Sequence, residues 1–206
     1  MAFPEKLAQH LTYSFIKENL PDKEQKELDR IEYGLAAFFI AFPKLFVLFS
    51  IAVFLNFYID NFILYFTIVQ VSYALVRVYA WGMHLKTDLS CFVGSFILLF
   101  GITSVGIFYP LPLVVLLLLW GISIGLLYRY APAATEARPL RSMTLRKKLR
   151  RKLLIVASLL FIVAFINAKN PYGTLITLSV LGESLFTTPF MYKVFQLKGG
   201  ETNEKS

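Results

Sequence analysis

The single cysteine of the chain, Cys91, lies seven residues after one of its two histidines, His84. The thiolate is the reactive form of cysteine, and a free thiol with a pKa of about 8.5 is mostly protonated at neutral pH. A neighbouring imidazole can take that proton and activate the sulfur as a nucleophile. This pair therefore indicates acyl transfer or cleavage of a peptide bond. The alternative is structural, with the thiol filling apolar space and the imidazole lying at an interface.

The spacing of this pair requires a break in the helix between its members. Seven residues of continuous α-helix rise roughly 10.5 Å, which is too far for a direct hydrogen bond. Gly82 and the polar stretch 86–90 offer a break, with Asp88 or Ser90 as the N-cap of the next helix. Cys91 would then lie in the first turn, where the partial positive charge of a helix start stabilises a thiolate.

The elements that must position the pair are long and apolar. Hydrophobic residues make up 57% of the 206 residues and charged residues only 17%. A helix that crosses a bilayer needs roughly 20 mostly apolar residues, and several stretches of the chain meet this requirement. We predict an all-α, polytopic membrane protein, because helices satisfy every backbone group in lipid. About six transmembrane helices are expected, at residues 33–57, 62–80, 91–109, 111–128, 152–168 and 173–192.

An amphipathic helix is expected before the first span. Residues 3–20 align apolar side chains on one stripe, which is typical of a helix lying on the membrane surface or packed on a protein partner. We predict three regions: residues 1–32 for this helix and a polar linker, 33–192 for a transmembrane catalytic domain, and 193–206 for a polar tail.

The positive charges are clustered between two of the spans. Nine of the 21 Lys and Arg residues fall in the loop 129–152, a pattern typical of cytoplasmic loops. It predicts a multi-pass protein of the cell membrane with both termini in the cytoplasm, and it argues against nucleic-acid binding. Two ionisable residues inside spans, Arg77 and Glu183, are functional candidates. Glu183 could pack between helices or pair with Arg77 or Lys44.

Two stretches resemble a known family. The sequence RVYAWGMHLKTDLSC, residues 77–91, resembles the signature of the accessory gene regulator protein B (AgrB) family, membrane peptidases of Gram-positive quorum sensing. YAPAATEARPL, residues 130–140, resembles a second stretch of that family, although Ala134 stands where an acidic residue is expected. The order of spans, the basic loop and the length also agree, so the resemblance covers nearly the whole chain.

The resemblance implies that Cys91 is the nucleophile and His84 the general base. It implies a substrate similar to the AgrD type, a small precursor peptide with an amphipathic leader, a central cysteine and an acidic tail. Removal of the tail would leave an acyl-enzyme thioester, and attack by the precursor's own cysteine would release a cyclic (thio)lactone autoinducer. No cofactor and no metal are expected. Membrane lipids and a homodimer are the other expected partners.

Other residues receive supporting roles under this reading. Arg77 could stabilise an oxyanion or hold a substrate carboxylate, Asp88 could orient His84 or cap a helix, and Ser90 could be a cap. A basic cluster could attract the acidic tail or bind lipid headgroups, and its members are Arg138, Arg141, Arg146, Lys147 and Lys148.

Two other classes of function stay open. A small peptide or ion transporter could use the charged residues along a path, although no inverted repeat supports transport. A non-catalytic subunit of a membrane assembly is the other alternative. Both should tolerate Cys91→Ser, whereas the peptidase should not.

Overall fold

A computed structural model describes residues 3–16, 25–83, 85, 87–133, 140 and 142–195. Every regular element within these ranges is helical, which confirms the all-α prediction. A short π-helical stretch, Leu11–Ile16, follows the first α-helix. The α-helices are α1 (Phe3–His10), α2 (Gln25–Asn56), α3 (Phe62–Ala80), α4 (Asp88–Phe108), α5 (Leu113–Tyr130), α6 (Met143–Ile166), α7 (Pro171–Phe186) and α8 (Pro189–Val194).

Four of the helices are long and apolar enough to cross a membrane. They comprise residues Glu27–Asn56, Phe62–Ala80, Leu89–Phe108 and Leu113–Tyr130, and they match the first four predicted spans. The fifth predicted span, 152–168, lies largely in α6, whose first half is basic. The sixth, 173–192, is divided between α7 and α8. The total of six spans and the cytoplasmic termini therefore stay predictions.

The chain divides into two compact units, residues 1–57 and 58–206. In the first unit, α1 packs against α2, with Ala8 and Leu28 fully buried. The hydroxyl of Tyr13 donates to Asp29 Oδ1 over 3.2 Å and accepts from Gln25 Nε2 over 2.6 Å. The N-terminal amphipathic segment thus covers one side of the chain's own second helix.

The second unit is built around α7, which packs against α3, α4, α5 and α6. Most of α7 is buried although it carries many small and polar side chains, which let neighbouring helices approach closely. These polar groups have partners: Thr177 Oγ1 accepts from Trp120 Nε1 over 2.8 Å, and Thr174 Oγ1 accepts from the Leu111 backbone N–H over 2.9 Å. The hydroxyls of Thr174 and Thr177 are therefore satisfied within the apolar packing around α7.

Helix ends from this second unit meet at one edge, which we call the site edge. It comprises the ends of α3, α5 and α7 and the connections that follow α3 and α5. Three hydrogen bonds join these segments: Ala133 N to Ala80 O (2.9 Å), Met83 N to Phe186 O (3.1 Å), and Arg150 Nε to Ala131 O (3.1 Å). The connection between α3 and α4 contains His84. Its first residues are held to the rest of the unit by the hydrogen bond from Met83 to Phe186.

Candidate active site

The helical break expected between His84 and Cys91 is present. Helix α3 ends at Ala80, and α4 begins at Asp88. Trp81 has a left-handed backbone, with φ of 58°, and its N–H donates to Arg77 O over 3.2 Å. This conformation costs a non-glycine residue about 1–2 kcal/mol, and such strain is typical of functional sites. His84 itself lies outside the described residues, so its distance from Cys91 stays a prediction.

A capping box fixes the start of α4. The hydroxyl of Thr87 accepts from Ser90 N over 3.1 Å, and Ser90 Oγ accepts from Thr87 N over 3.3 Å. The N-cap is therefore Thr87, and the expectation of Asp88 or Ser90 at that position is wrong. Thr87 has the extended backbone that an N-cap requires, whereas Asp88 is already the first helical residue. Ser90 completes the box from the third position.

Cys91 is the fourth residue of α4, and its thiol is free. Its backbone N–H donates to Thr87 O over 3.0 Å, so the capped turn directly sets its position. The side chain is half-buried and lies within electrostatic reach of Arg77 and Tyr73 on α3. The structure thus brings the thiol to the start of a helix, beside a cluster of polar side chains.

The centre of that cluster is a buried ion pair between Arg77 on α3 and Glu183 on α7. Arg77 Nη1 lies 3.1 Å from both carboxylate oxygens, and the exposed fractions of the two side chains are 20% and 0%. Arg77 Nη2 also donates to the carbonyl of Met83. Because Met83 N donates to Phe186 O, α3 and α7 together hold both backbone polar groups of the residue that precedes His84.

Gly82 is packed so tightly against the ion pair that no side chain fits. A Cβ added there would lie 2.5 Å from Glu183 Oε1 and 2.8 Å from Arg77 Nη1. The Tyr73 phenol also lies within electrostatic reach of the Glu183 carboxylate. Glycine is required at this position because its backbone lies directly against the Arg77 and Glu183 side chains.

Two of these neighbours, Met83 and Tyr192, were not singled out from the sequence. Met83 makes its contacts through its backbone carbonyl and N–H. Every non-proline residue has these groups, so the sequence does not single it out. Tyr192 on α8 is buried within electrostatic reach of Arg77 and Glu183, and its hydroxyl has no hydrogen-bond partner among the residues described. Met83 is only six residues from Arg77, whereas Tyr192 is brought to Arg77 by the fold, since it follows Arg77 by more than 100 residues.

The basic cluster is described only in part. Arg138 and Arg141 lie outside the described residues, whereas Arg146, Lys147 and Lys148 lie in the first two turns of α6. Lys147 and Lys148 are exposed, and Arg146 is half-buried. Charged side chains of α6 therefore lie near the site edge, which α6 contacts through the Arg150 hydrogen bond to α5's C-cap. In the described parts of the chain, no group of three or more His, Cys, Asp or Glu side chains could hold a metal ion.

The capping box predicts a local effect on the thiol. We expect Thr87→Ala to destabilise the protein by about 1 kcal/mol and to change the rate at which a maleimide alkylates Cys91, because the first turn frays. Ser142→Ala is the matched control, since Ser142 caps α6 through a 3.3 Å bond from Leu145 N. It should lower the melting temperature without changing the alkylation rate. Equal alkylation rates in both variants would contradict a role of Thr87 in placing the thiol.

Comparisons with known proteins identify sequences similar to most of this chain. The sequence pattern of the family described as accessory gene regulator B matches residues 8–191. The accessory gene regulator protein B of Staphylococcus aureus strain Newman is 28% identical over 95% of this chain and 98% of its own length. That of Staphylococcus carnosus strain TM300 is 29% identical over 77% of this chain and 82% of its own length. No solved structure matches the chain.

Proposed function

Because the chain belongs to the accessory gene regulator B family, we propose that it is a membrane-embedded cysteine endopeptidase that processes a precursor peptide in quorum sensing. The observation that carries this proposal is the position of Cys91. The only thiol of the chain lies in the first turn of a capped helix, at the edge of an apolar bundle. A helix start favours an anion, and the preceding turn carries His84.

The reaction consists of two acyl transfers. His84 takes the proton of the Cys91 thiol, and the sulfur attacks the carbonyl carbon of the scissile bond. The C–N bond breaks as His84 returns the proton to the departing amine, and a thioester to Cys91 remains. A thiol of the precursor then gives its proton to His84, attacks the thioester carbonyl and forms a new thioester within the peptide, and the departing Cys91 sulfur takes the proton back from His84. The peptide leaves as a ring.

The second step requires orientation more than driving force. Exchange of one thioester for another changes the free energy little, so the protein must hold the peptide ends together and keep water from the intermediate. The apolar surroundings of α4 serve the second need. Cleavage of the amide to form the first thioester is uphill, and removal of the products draws the reaction forward.

We assign to Arg77 and Glu183 the task of positioning the turn before the base. Both terminal nitrogens of Arg77 are engaged, one with Glu183 and the other with the Met83 carbonyl. The pair is therefore occupied in holding the backbone next to His84. Asp88, the first residue of α4, remains a candidate for orienting that imidazole.

The substrate that this site would take is a precursor of the AgrD type with an acidic tail. The exposed Lys147 and Lys148, with Arg146, would attract that tail to the site edge, and Arg138 and Arg141 belong to the same proposal. Binding of anionic lipid headgroups uses the same chemistry. The attraction of the tail should fall with salt, because exposed charges are screened.

The proposal is tested by trapping the intermediate. Purified protein in liposomes would be mixed with a precursor whose central cysteine is replaced by serine, which slows ring closure. Intact-protein mass spectrometry should show an adduct equal to the precursor without its tail, located on Cys91 and removed by hydroxylamine. Release of the tail with no adduct at any time would refute the thioester route. Uptake of intact peptide into sealed vesicles without cleavage would establish transport instead.

A further inference from the structure

An open apolar groove lies beside Cys91. Its volume is about 560 Å³, within the range of roughly 300–1,000 Å³ that is typical of small-ligand sites. Five of its lining residues belong to α4 and three to neighbouring segments. Among all eight, only Ser90 carries a polar side chain. The lining residues are Ser90, Val93, Gly94, Ile97, Leu98, Leu85, Phe186 and Phe195.

The helical register places this groove next to the thiol. The α4 lining residues recur at three- and four-residue intervals from Ser90 to Leu98, so they form one face of the helix. Cys91 follows Ser90 and precedes Gly94 by three residues, so it lies on the margin of the same face. The groove therefore begins at Ser90, the residue before the proposed nucleophile, and continues for two helical turns toward the apolar middle of α4.

The charges at the site edge decide which part of a substrate can enter the groove. Lys147 and Lys148 are exposed on α6, whose side chain Arg150 reaches the end of α5. An acidic segment would be stabilised there, whereas burying carboxylates in the apolar groove without partners is strongly unfavourable. The acidic portion of a precursor is thus disfavoured in the groove, whereas an apolar portion can enter it.

From these observations we propose that the groove binds the side chains immediately before the cleaved bond, and that they are bulky and apolar. This inference rests on the proposed peptidase function and specifies its substrate class. The acyl portion of the precursor stays attached to Cys91 after the tail leaves. A groove that continues from the nucleophile holds that portion in place while the second thiol attacks.

Gly94 allows the groove to be filled without touching the nucleophile. The nearest atom to a Cβ at this position is Leu85 Cδ1, at 3.3 Å, which is the end of a flexible side chain. Gly101→Leu is the matched control, because it makes the same change in the same helix at a position with nothing within 4 Å. The experiment compares kcat/KM for two precursors that differ only before the cleaved bond, where one carries two leucines and the other two alanines.

We expect wild-type protein and Gly101→Leu to prefer the leucine precursor by at least about 10-fold, since one or two methylenes in an apolar pocket contribute that much. Gly94→Leu should lower this ratio by about 10-fold, mainly through KM. If Gly94→Leu is inactive, Ile97→Ala provides a second test. This substitution widens the groove and should reduce the preference for the leucine precursor several-fold.

Three results would overturn the inference. An unchanged ratio in an active Gly94→Leu or Ile97→Ala would show that substrate side chains bind elsewhere. An equal loss for both precursors would show that the groove holds a lipid chain or only supports the helix. No preference in wild-type protein that cleaves both precursors would also refute it, whereas failure of wild-type protein to cleave either would refute the peptidase function itself.

Discussion

We expect replacement of Cys91 with alanine to abolish cleavage of the precursor and formation of the covalent adduct, and replacement of His84 with alanine to slow cleavage by about 10²–10⁴-fold. In the proposed mechanism the Cys91 sulfur forms the intermediate, and the sequence contains no second cysteine that could replace it. The smaller loss at His84 is the usual contribution of a positioned general base. Release of the tail is followed by mass spectrometry with protein in liposomes.

The chain contains its own controls for both substitutions. His10 is the other histidine and lies on α1, so His10→Ala should cleave at the wild-type rate. Cys91→Ser keeps a hydroxyl in the capped turn but should form no thioester, because a serine hydroxyl is a weak nucleophile without strong activation. Tail release by Cys91→Ala would exclude this cysteine as the nucleophile, and equal losses at His10 and His84 would exclude a specific base.

The same variants separate a peptidase from a transporter. A protein that moves peptides or ions through the bundle needs no thiol, and Cys91→Ala should leave its transport intact. A path was expected to use Lys44, Arg77 and Glu183, and the last two of these instead pair with each other. This pairing is expected when buried charges organise a structure, and it gives no support to an ion path.

The spans and the break before α4 could be predicted from local sequence. Apolar runs of sufficient length and the lack of other backbone partners in lipid define helices α2 to α5. Gly82 and the polar stretch after it indicated the interruption. The cap was wrongly expected at Asp88 or Ser90, because the neighbouring Thr87 is an equally good capping residue. Only the extended backbone of Thr87 selects it, and that conformation depends on how the turn is held.

The contacts between distant helices could not be predicted in the same way. Glu183 had two possible cations, Arg77 and Lys44, and a helix in isolation does not choose between them. The packing of α3 against α7 makes that choice for Arg77. The role of Met83 was invisible because its backbone carbonyl and N–H carry it, whatever the side chain. Helix ends at the site edge are thus organised by long-range packing that local patterns do not encode.

The second large effect concerns this ion pair. Arg77→Met should destabilise the protein by about 3–5 kcal/mol, because it leaves the fully buried Glu183 carboxylate without its cation. For a chain of this length that corresponds to a fall in melting temperature of roughly 6–20 °C. Thermal unfolding in detergent measures it. Glu183→Gln should cost less, since an amide can still accept a hydrogen bond from Arg77.

The double variant Arg77→Met with Glu183→Met distinguishes a structural pair from a positioning pair. Apolar residues that replace a buried ion pair are often neutral or stabilising, so its melting temperature should return close to that of wild type. Cleavage should not return, because the Met83 carbonyl has lost its donor and the turn before His84 is free to shift. A displacement of about 1 Å at a catalytic group can cost about 10²-fold in rate.

The outcome of that double variant bears directly on how the site works. A stable protein with kcat reduced about 10²-fold and KM little changed would mean that the charges fix the geometry of the base, not the fold or the binding of the precursor. A stable protein with wild-type kcat would mean that the ion pair only supports α3 and α7, and that the turn holds its shape through the Met83–Phe186 hydrogen bond. Because both partners are removed together, the result does not depend on an unpaired buried charge.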